Sequence, residues 1–88
     1  MDSEDHNLDA QFHLGLMLAM EESYDEAILW WMRAGMMGVS EASFKVGMCM
    51  EKGYGHEVDT ELAKQWYLKA HEQGHLGAMV KYENLMEQ

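Results

Sequence analysis

Residues 71–75 read His-Glu-Gln-Gly-His, the one stretch of this chain whose residue types and spacing match a familiar chemistry. In H-E-x-x-H spacing on a helix, two imidazoles hold zinc and the glutamate serves as general base. That chemistry also needs a helix running through the second histidine, a third ligand and a cleft for substrate. Gly74 falls between His71 and His75, where a helix tends to end, and no third ligand is recognisable. His6, His13 and His56 show no ligand spacing with one another, so solvated or capping roles are expected of them. Met17, Met20, Met48, Met50 and Cys49 are the soft ligand types that suit Cu(I), but their spacing fits core filling better. Gly53-Tyr54-Gly55 lacks the preceding strand of a dinucleotide-binding turn, and there is no serine elbow or paired CxxC. The sequence assigns no catalytic residue, no metal ligand and no cofactor.

What must position these residues is a helical chain. Its 88 residues allow one domain with a modest core. Proline is absent and strong helix formers abound. Sixteen acidic residues against 6 Lys+Arg give a formal net charge of -10, which argues against phosphate backbones and anionic membranes and favours a basic partner. No uncharged run approaches the length of a membrane span. The opening MDSEDHNLD is acidic and unlike a secretory signal, and Cys49 stands alone; a reducing, cytoplasmic setting is the expectation.

The organisation becomes clear from self-similarity. AQFHLGLML from Ala10 aligns with ASFKVGMCM from Ala42, and AILWWMRAGMMG from Ala27 aligns with ALAKQWYLKAHEQG from Ala63. The second alignment has the longer offset, so the first copy is shorter between its blocks, where the second holds Gly53-Tyr54-Gly55. Apolar residues at Ala10, Leu14, Met17 and Leu18, and again at Ala27, Trp30, Trp31 and Ala34, recur at helical spacing and predict amphipathic helices. Ser23 to Glu26 reads as a capping box, and Asp59 or Thr60 as a later cap. Gly38 and Gly74 suit left-handed positions after the second helix of each copy. Helices are predicted over 8–21, 24–36, 40–52, 60–73 and 76–87. Gly15 and Gly47 fall mid-helix, where glycine costs about 1 kcal/mol, a cost explained if Trp31 or Tyr67 packs directly on bare backbone.

This pattern resembles the Sel-1-like repeat family, relatives of the tetratricopeptide repeats. The second copy carries it as Ala42, Phe44, Val46-Gly47, Gly53-Tyr54-Gly55, Asp59, Ala63, Trp66-Tyr67, Ala70 and Gly74. The first keeps Ala10, Phe12, Leu14-Gly15, Ala27, Trp30-Trp31, Ala34 and Gly38. The resemblance implies an all-α, right-handed superhelix of antiparallel helix pairs that scaffolds protein–protein contacts without catalysis. It divides the chain into an acidic tail (1–7), two repeats (8–39 and 40–75) and a capping helix (76–88). On this alignment His71 and His75 map to Gly35 and Val39, so the repeat does not require imidazoles there.

Stacked pairs line an inner surface with the first helix of each pair. His13, Lys45 and Lys81 share one column there, and Leu16, Met48 and Asn84 another; the cationic strip beside Leu16, Met20 and Met48 outlines a groove for an acidic or mixed peptide segment. The same lysines also suit a merely solubilising role. Two pairs and a cap fall short of the usual three repeats, so an exposed stacking end is expected, covered by a homodimer or a partner helix. The predicted function is an adaptor that binds another protein. The rival is an acidic inhibitor that mimics nucleic acid at a basic site on its target.

Overall fold

The computed structural model describes residues 7–87; His6, nearly all of the acidic tail and Gln88 lie outside the described residues. Five helices follow one another: α1 (Leu8–Met20), α2 (Tyr24–Met36), α3 (Ser40–Lys52), α4 (Thr60–Glu72) and α5 (Ala78–Met86), with no strand among the described residues. Each packs on its neighbour in sequence, and the short connections make successive helices antiparallel. The result is an elongated slab, 46 × 27 × 16 Å, as expected of an all-α superhelix of helix pairs.

The helix starts follow capping chemistry in two places. The Asn7 side chain accepts from the Ala10 N–H at 3.0 Å, and Asp59 accepts from the Leu62 N–H at 3.1 Å. Ser23 occupies the cap position of α2, but its side chain makes no capping bond. The backbone explains the failed capping box. The Ser23 N–H donates to Leu18 O at 2.8 Å, closing the end of α1, so the group that Glu26 would have to reach is already taken. The ends of α2 and α4 are closed in the same way, by Val39 N–H on Ala34 O (3.0 Å) and His75 N–H on Ala70 O (2.9 Å). Such a closure puts the preceding residue at positive φ. Gly38 and Gly74 occupy it at 109° and 107°, whereas α1 places Glu22 there at 63°.

The core lies between the helices and is built from small residues beneath two rings. Ala27, Ala34, Ala63 and Ala70 are fully buried and let the helices approach closely. Trp31 lies on Gly15: a Cβ added there would stand 2.4 Å from the indole nitrogen. Tyr67 lies on Gly47 in the same manner, its ring carbons 2.8 Å from such a Cβ. Each ring also satisfies its polar atom. Trp31 Nε1 donates to Phe12 O at 3.2 Å, and the Tyr67 hydroxyl donates to Glu51 Oε1 at 2.6 Å.

The stripe predicted for α1 differs from the one that faces the core. Gly15 is buried and Phe12, Leu16, Leu18 and Ala19 pack against the core, while Ala10, Leu14 and Met17 are exposed. Periodicity located an apolar face correctly but could not tell a face turned to the core from one left uncovered. In the second stripe, Ala27, Trp31 and Ala34 are buried and Trp30 is half-buried.

The loop present only in the second copy has a packing role. Gly55 passes so close to the start of α2 that a Cβ would lie 2.5 Å from Asp25 N, and Tyr54 stacks on Tyr24 with centroids 5.0 Å apart. Two outcomes follow for stability. Leucine at Gly15 or Gly47 must displace a rigid ring and is expected to destabilise by about 1–3 kcal/mol. Glu22→Gly relieves an unfavourable left-handed residue and is expected to stabilise by about 0.5–1 kcal/mol. Thermal melting checks both, since about 1 kcal/mol shifts a domain of this size by roughly 4–8 °C.

Candidate functional site

The His-Glu-Gln-Gly-His stretch serves packing. Gly74 ends the helix between the two histidines. Gln73 joins three helices: its amide nitrogen donates to Gly35 O at 2.7 Å, and the Ser43 hydroxyl donates to its amide oxygen at 2.8 Å. His75 lies flat on Phe44, ring centroids 4.2 Å apart and 9° from parallel, with Nε2 3.0 Å from Glu41 Oε1. His71 remains exposed on α4. Among the described residues no three His, Cys, Asp or Glu side chains converge as a metal site would require. His13 and His56 are exposed and bond locally, through Nδ1 to Asp9 O and Glu57 O, both at 2.7 Å.

The structure brings together four of the six residues that outline the inner groove. Leu16 and Met20 from α1 and Lys45 and Met48 from α3 line one concavity of about 420 Å³. Trp31 and Cys49 also line it, as does the Tyr24–Tyr54 stack. The loop of the second copy thus supplies part of the site through Tyr54. Met20 is largely exposed, whereas Lys45 and Met48 are half-buried. His13 and Lys81 are not among the lining residues; Lys81 is half-buried on α5. Of the sulfur residues considered for a soft metal, Met20, Met48 and Cys49 line this concavity, while Met50 lies in the core and Met17 is turned outward.

A second groove, about 560 Å³, runs between the second helices of the two pairs. Met32 and Met36 of α2 face Leu62, Trp66 and Lys69 of α4 across it. The spacing i, i+4 of the two methionines and i, i+4, i+7 of their opposites is the sequence signal of this groove.

Two buried acids have pKa values displaced by the fold. Burial pushes the Cys49 thiol from 9.0 up to about 11, against a smaller opposing influence of the Lys45 ammonium. Burial, reinforced by the bond to Glu51, raises Tyr67 well above its ordinary value. Cys49 is therefore a neutral, unreactive wall of the concavity near neutral pH.

The comparison with known proteins agrees with this geometry. The sequence profile of the Sel1 repeat matches residues 8–39 and again residues 40–75, and the chain belongs to the Sel1 repeat family. It is 40% identical over 50 residues to chitin synthase regulatory factor 3 of Schizosaccharomyces pombe, covering 57% of this chain and 5% of that protein. It is 35% identical over 60 residues to an exopolysaccharide production negative regulator of Rhizobium meliloti, covering 68% of this chain and 22% of the relative. Against the chitin synthase regulator SKT5 of Saccharomyces cerevisiae, identity is 38% over 61 residues, 69% of this chain and 9% of that one. The chain thus spans less than a quarter of the length of these relatives. No solved structure matches it significantly.

The raised thiol pKa has a consequence for stability. The fold favours the neutral thiol, so this contribution is complete below pH 9.0 and is lost as pH rises towards about 11. Denaturant midpoints are expected to fall across that interval, and to fall less in Cys49→Ala. Thiol-reactive reagents at pH 8 should label Cys49 only as fast as the chain unfolds.

Proposed function

We propose that this chain is a non-catalytic adaptor that binds another protein through the concavity between α1 and α3. Membership of the Sel1 repeat family supports an interaction module, and the relatives' names as regulators point the same way. The observation that carries the site is the placement of Lys45 beside Leu16, Met20 and Met48, a cation in an apolar hollow of a protein with net charge -10. Such a hollow suits a peptide segment that presents an apolar side chain next to an acidic one. By repeat register His13 on α1 and Lys81 on α5 correspond to Lys45, and we infer that they continue the cationic strip beyond the concavity. No described helix is long and apolar enough to cross a membrane. The nucleic-acid-mimic reading finds no support in the family or in the relatives' names and is not carried further.

Capture of a partner from the native host, identified by mass spectrometry, tests the proposal. Charge reversal by Lys45→Glu with Lys81→Glu is expected to weaken binding of that partner by about tenfold, roughly 1.4 kcal/mol. Moderate salt dependence is expected, because the apolar contacts are insensitive to ionic strength. Undiminished binding by the reversed variant would contradict the inner-face assignment.

A further inference from the structure

The second copy of the repeat shows which positions of a second helix stay in solvent. Gln65 and Glu72 are exposed on α4, two turns apart, and their counterparts on α2 are Leu29 and Met36. Leu29 is 61% exposed and Met36 is 69% exposed. Each copy has the neighbour that the other lacks, since α2 has a helix pair after it and α4 has a pair before it. The line is exposed in both copies, so its exposure does not come from a missing neighbour on either side. Packing leaves these positions free to be polar, as they are in α4, yet α2 fills them with leucine and methionine. Apolar side chains kept where the array stays open to water mark a contact surface.

The line on α2 continues into the groove of about 560 Å³. Met32 and Met36 face Leu62 and Trp66 of α4 across it. The members of each pair stand one helical turn apart, the spacing into which the ridge of another helix fits. Lys69 also lines this groove; it is half-buried and, among the described residues, makes no ion pair. Glu72, the other charged lining residue, is exposed and leaves Lys69 unpaired. Arg33, the counterpart of Lys69, stands one turn from Leu29 and is exposed, with its guanidinium 5.4 Å over the Trp30 ring. An apolar strip is thus bordered by two cations without carboxylate partners, in a chain of net charge -10.

These charges select the occupant. A partner whose apolar residues fill the strip also desolvates Lys69, and a carboxylate beside its own apolar ridge compensates that loss. A second copy meets the requirement poorly, because a two-fold contact sets the same patch, cations included, against itself. We propose that the outward face of α2 and the groove against α4 dock an amphipathic helix of a partner protein, with carboxylates flanking its apolar ridge. The inference goes beyond the adaptor reading and does not use its concavity, which lies between the first helices of the pairs.

The probe is a stapled helix with leucine at i, i+4 and i+7 flanked by glutamate, compared with the same helix flanked by lysine. Calorimetry on the full chain is expected to show saturable binding of the glutamate helix, and binding about tenfold weaker for the lysine helix. Leu29→Gln with Met36→Glu, which installs the residues of the second copy, is expected to weaken binding of the glutamate helix by about tenfold or more. Lys45→Glu is expected to bind it as the wild type does. Both installed residues are exposed on a folded helix in α4, so circular dichroism should show the double variant folded. If it is not folded, amide shifts of the wild type on titration read the same question: changes centred on Leu29, Met32, Met36 and Trp66 are expected, and changes centred on α1 and α3 would overturn the proposal. Absence of glutamate-helix binding, equal binding of the two helices, or undiminished binding by the double variant would also overturn it. So would a wild-type dimer in sedimentation that the double variant converts to monomer, because a second copy would then be the occupant. Loss of binding in Lys45→Glu alone would place the helix in the inner concavity and overturn the outward face. The reversal of Lys45 and Lys81 against the host partner tests the adaptor reading separately.

Discussion

Two aromatic rings in this molecule pack directly on helix backbone that carries no side chain. Trp31 rests on Gly15 and Tyr67 on Gly47 at distances that no Cβ would permit. Each ring is buried, and each sends its polar atom to a defined acceptor on the first helix of its own pair, Phe12 O or Glu51. A mid-helix glycine costs about 1 kcal/mol in propensity. Burial of an indole or phenol stabilises by more than that, at about 25 cal/mol for each Å² of apolar surface removed from water. The ring therefore fixes the separation and rotation of the two helices of a pair. Everything else about the surface follows from that setting, including which residues of α1 and α3 face the inner concavity.

Between the pairs, contacts of a different kind add to the shared apolar core. Gln73 bonds to Gly35 and Ser43, His75 stacks on Phe44 beside Glu41, and the Tyr54 ring lies on Tyr24. These are polar and aromatic contacts at helix ends and in the long loop. They explain why a sequence that spells a zinc-binding helix holds no such helix: Gln73, Gly74 and His75 are occupied in joining one repeat to the next. They also place Tyr54 against the site, so the loop that distinguishes the second repeat becomes a wall of the concavity.

Much of this was legible in the sequence because the repeat states it twice. Helix spans, the rings on Gly15 and Gly47, the left-handed Gly38 and Gly74 and the cap at Asp59 all follow from aligning one copy with the other. Leu16, Met20, Lys45 and Met48 line one concavity, but His13 and Lys81, placed in a column with Lys45 by register, are not among its lining residues. What remained illegible depends on neighbours. The stripe Ala10, Leu14, Met17 has the right period for a core face, but whether a face is covered is decided by what precedes it. The Ser23 capping box failed because closure of α1 had already used the Ser23 N–H, a competition between two local rules at one residue. Glu22 at positive φ gives no signal in its residue type, and the groove between α2 and α4 arises only when two helices distant in sequence lie side by side.

The seating of rings on glycine is tested most directly by a double-mutant cycle that combines Gly47→Ala with Tyr67→Leu and measures unfolding free energy. If the methyl collides with the phenol ring, removing the ring relieves the collision, and the two substitutions should couple by about 1 kcal/mol or more. Additive effects would mean that Tyr67 does not rest on Gly47 in solution, and the geometry from which both binding surfaces are argued would fall with it.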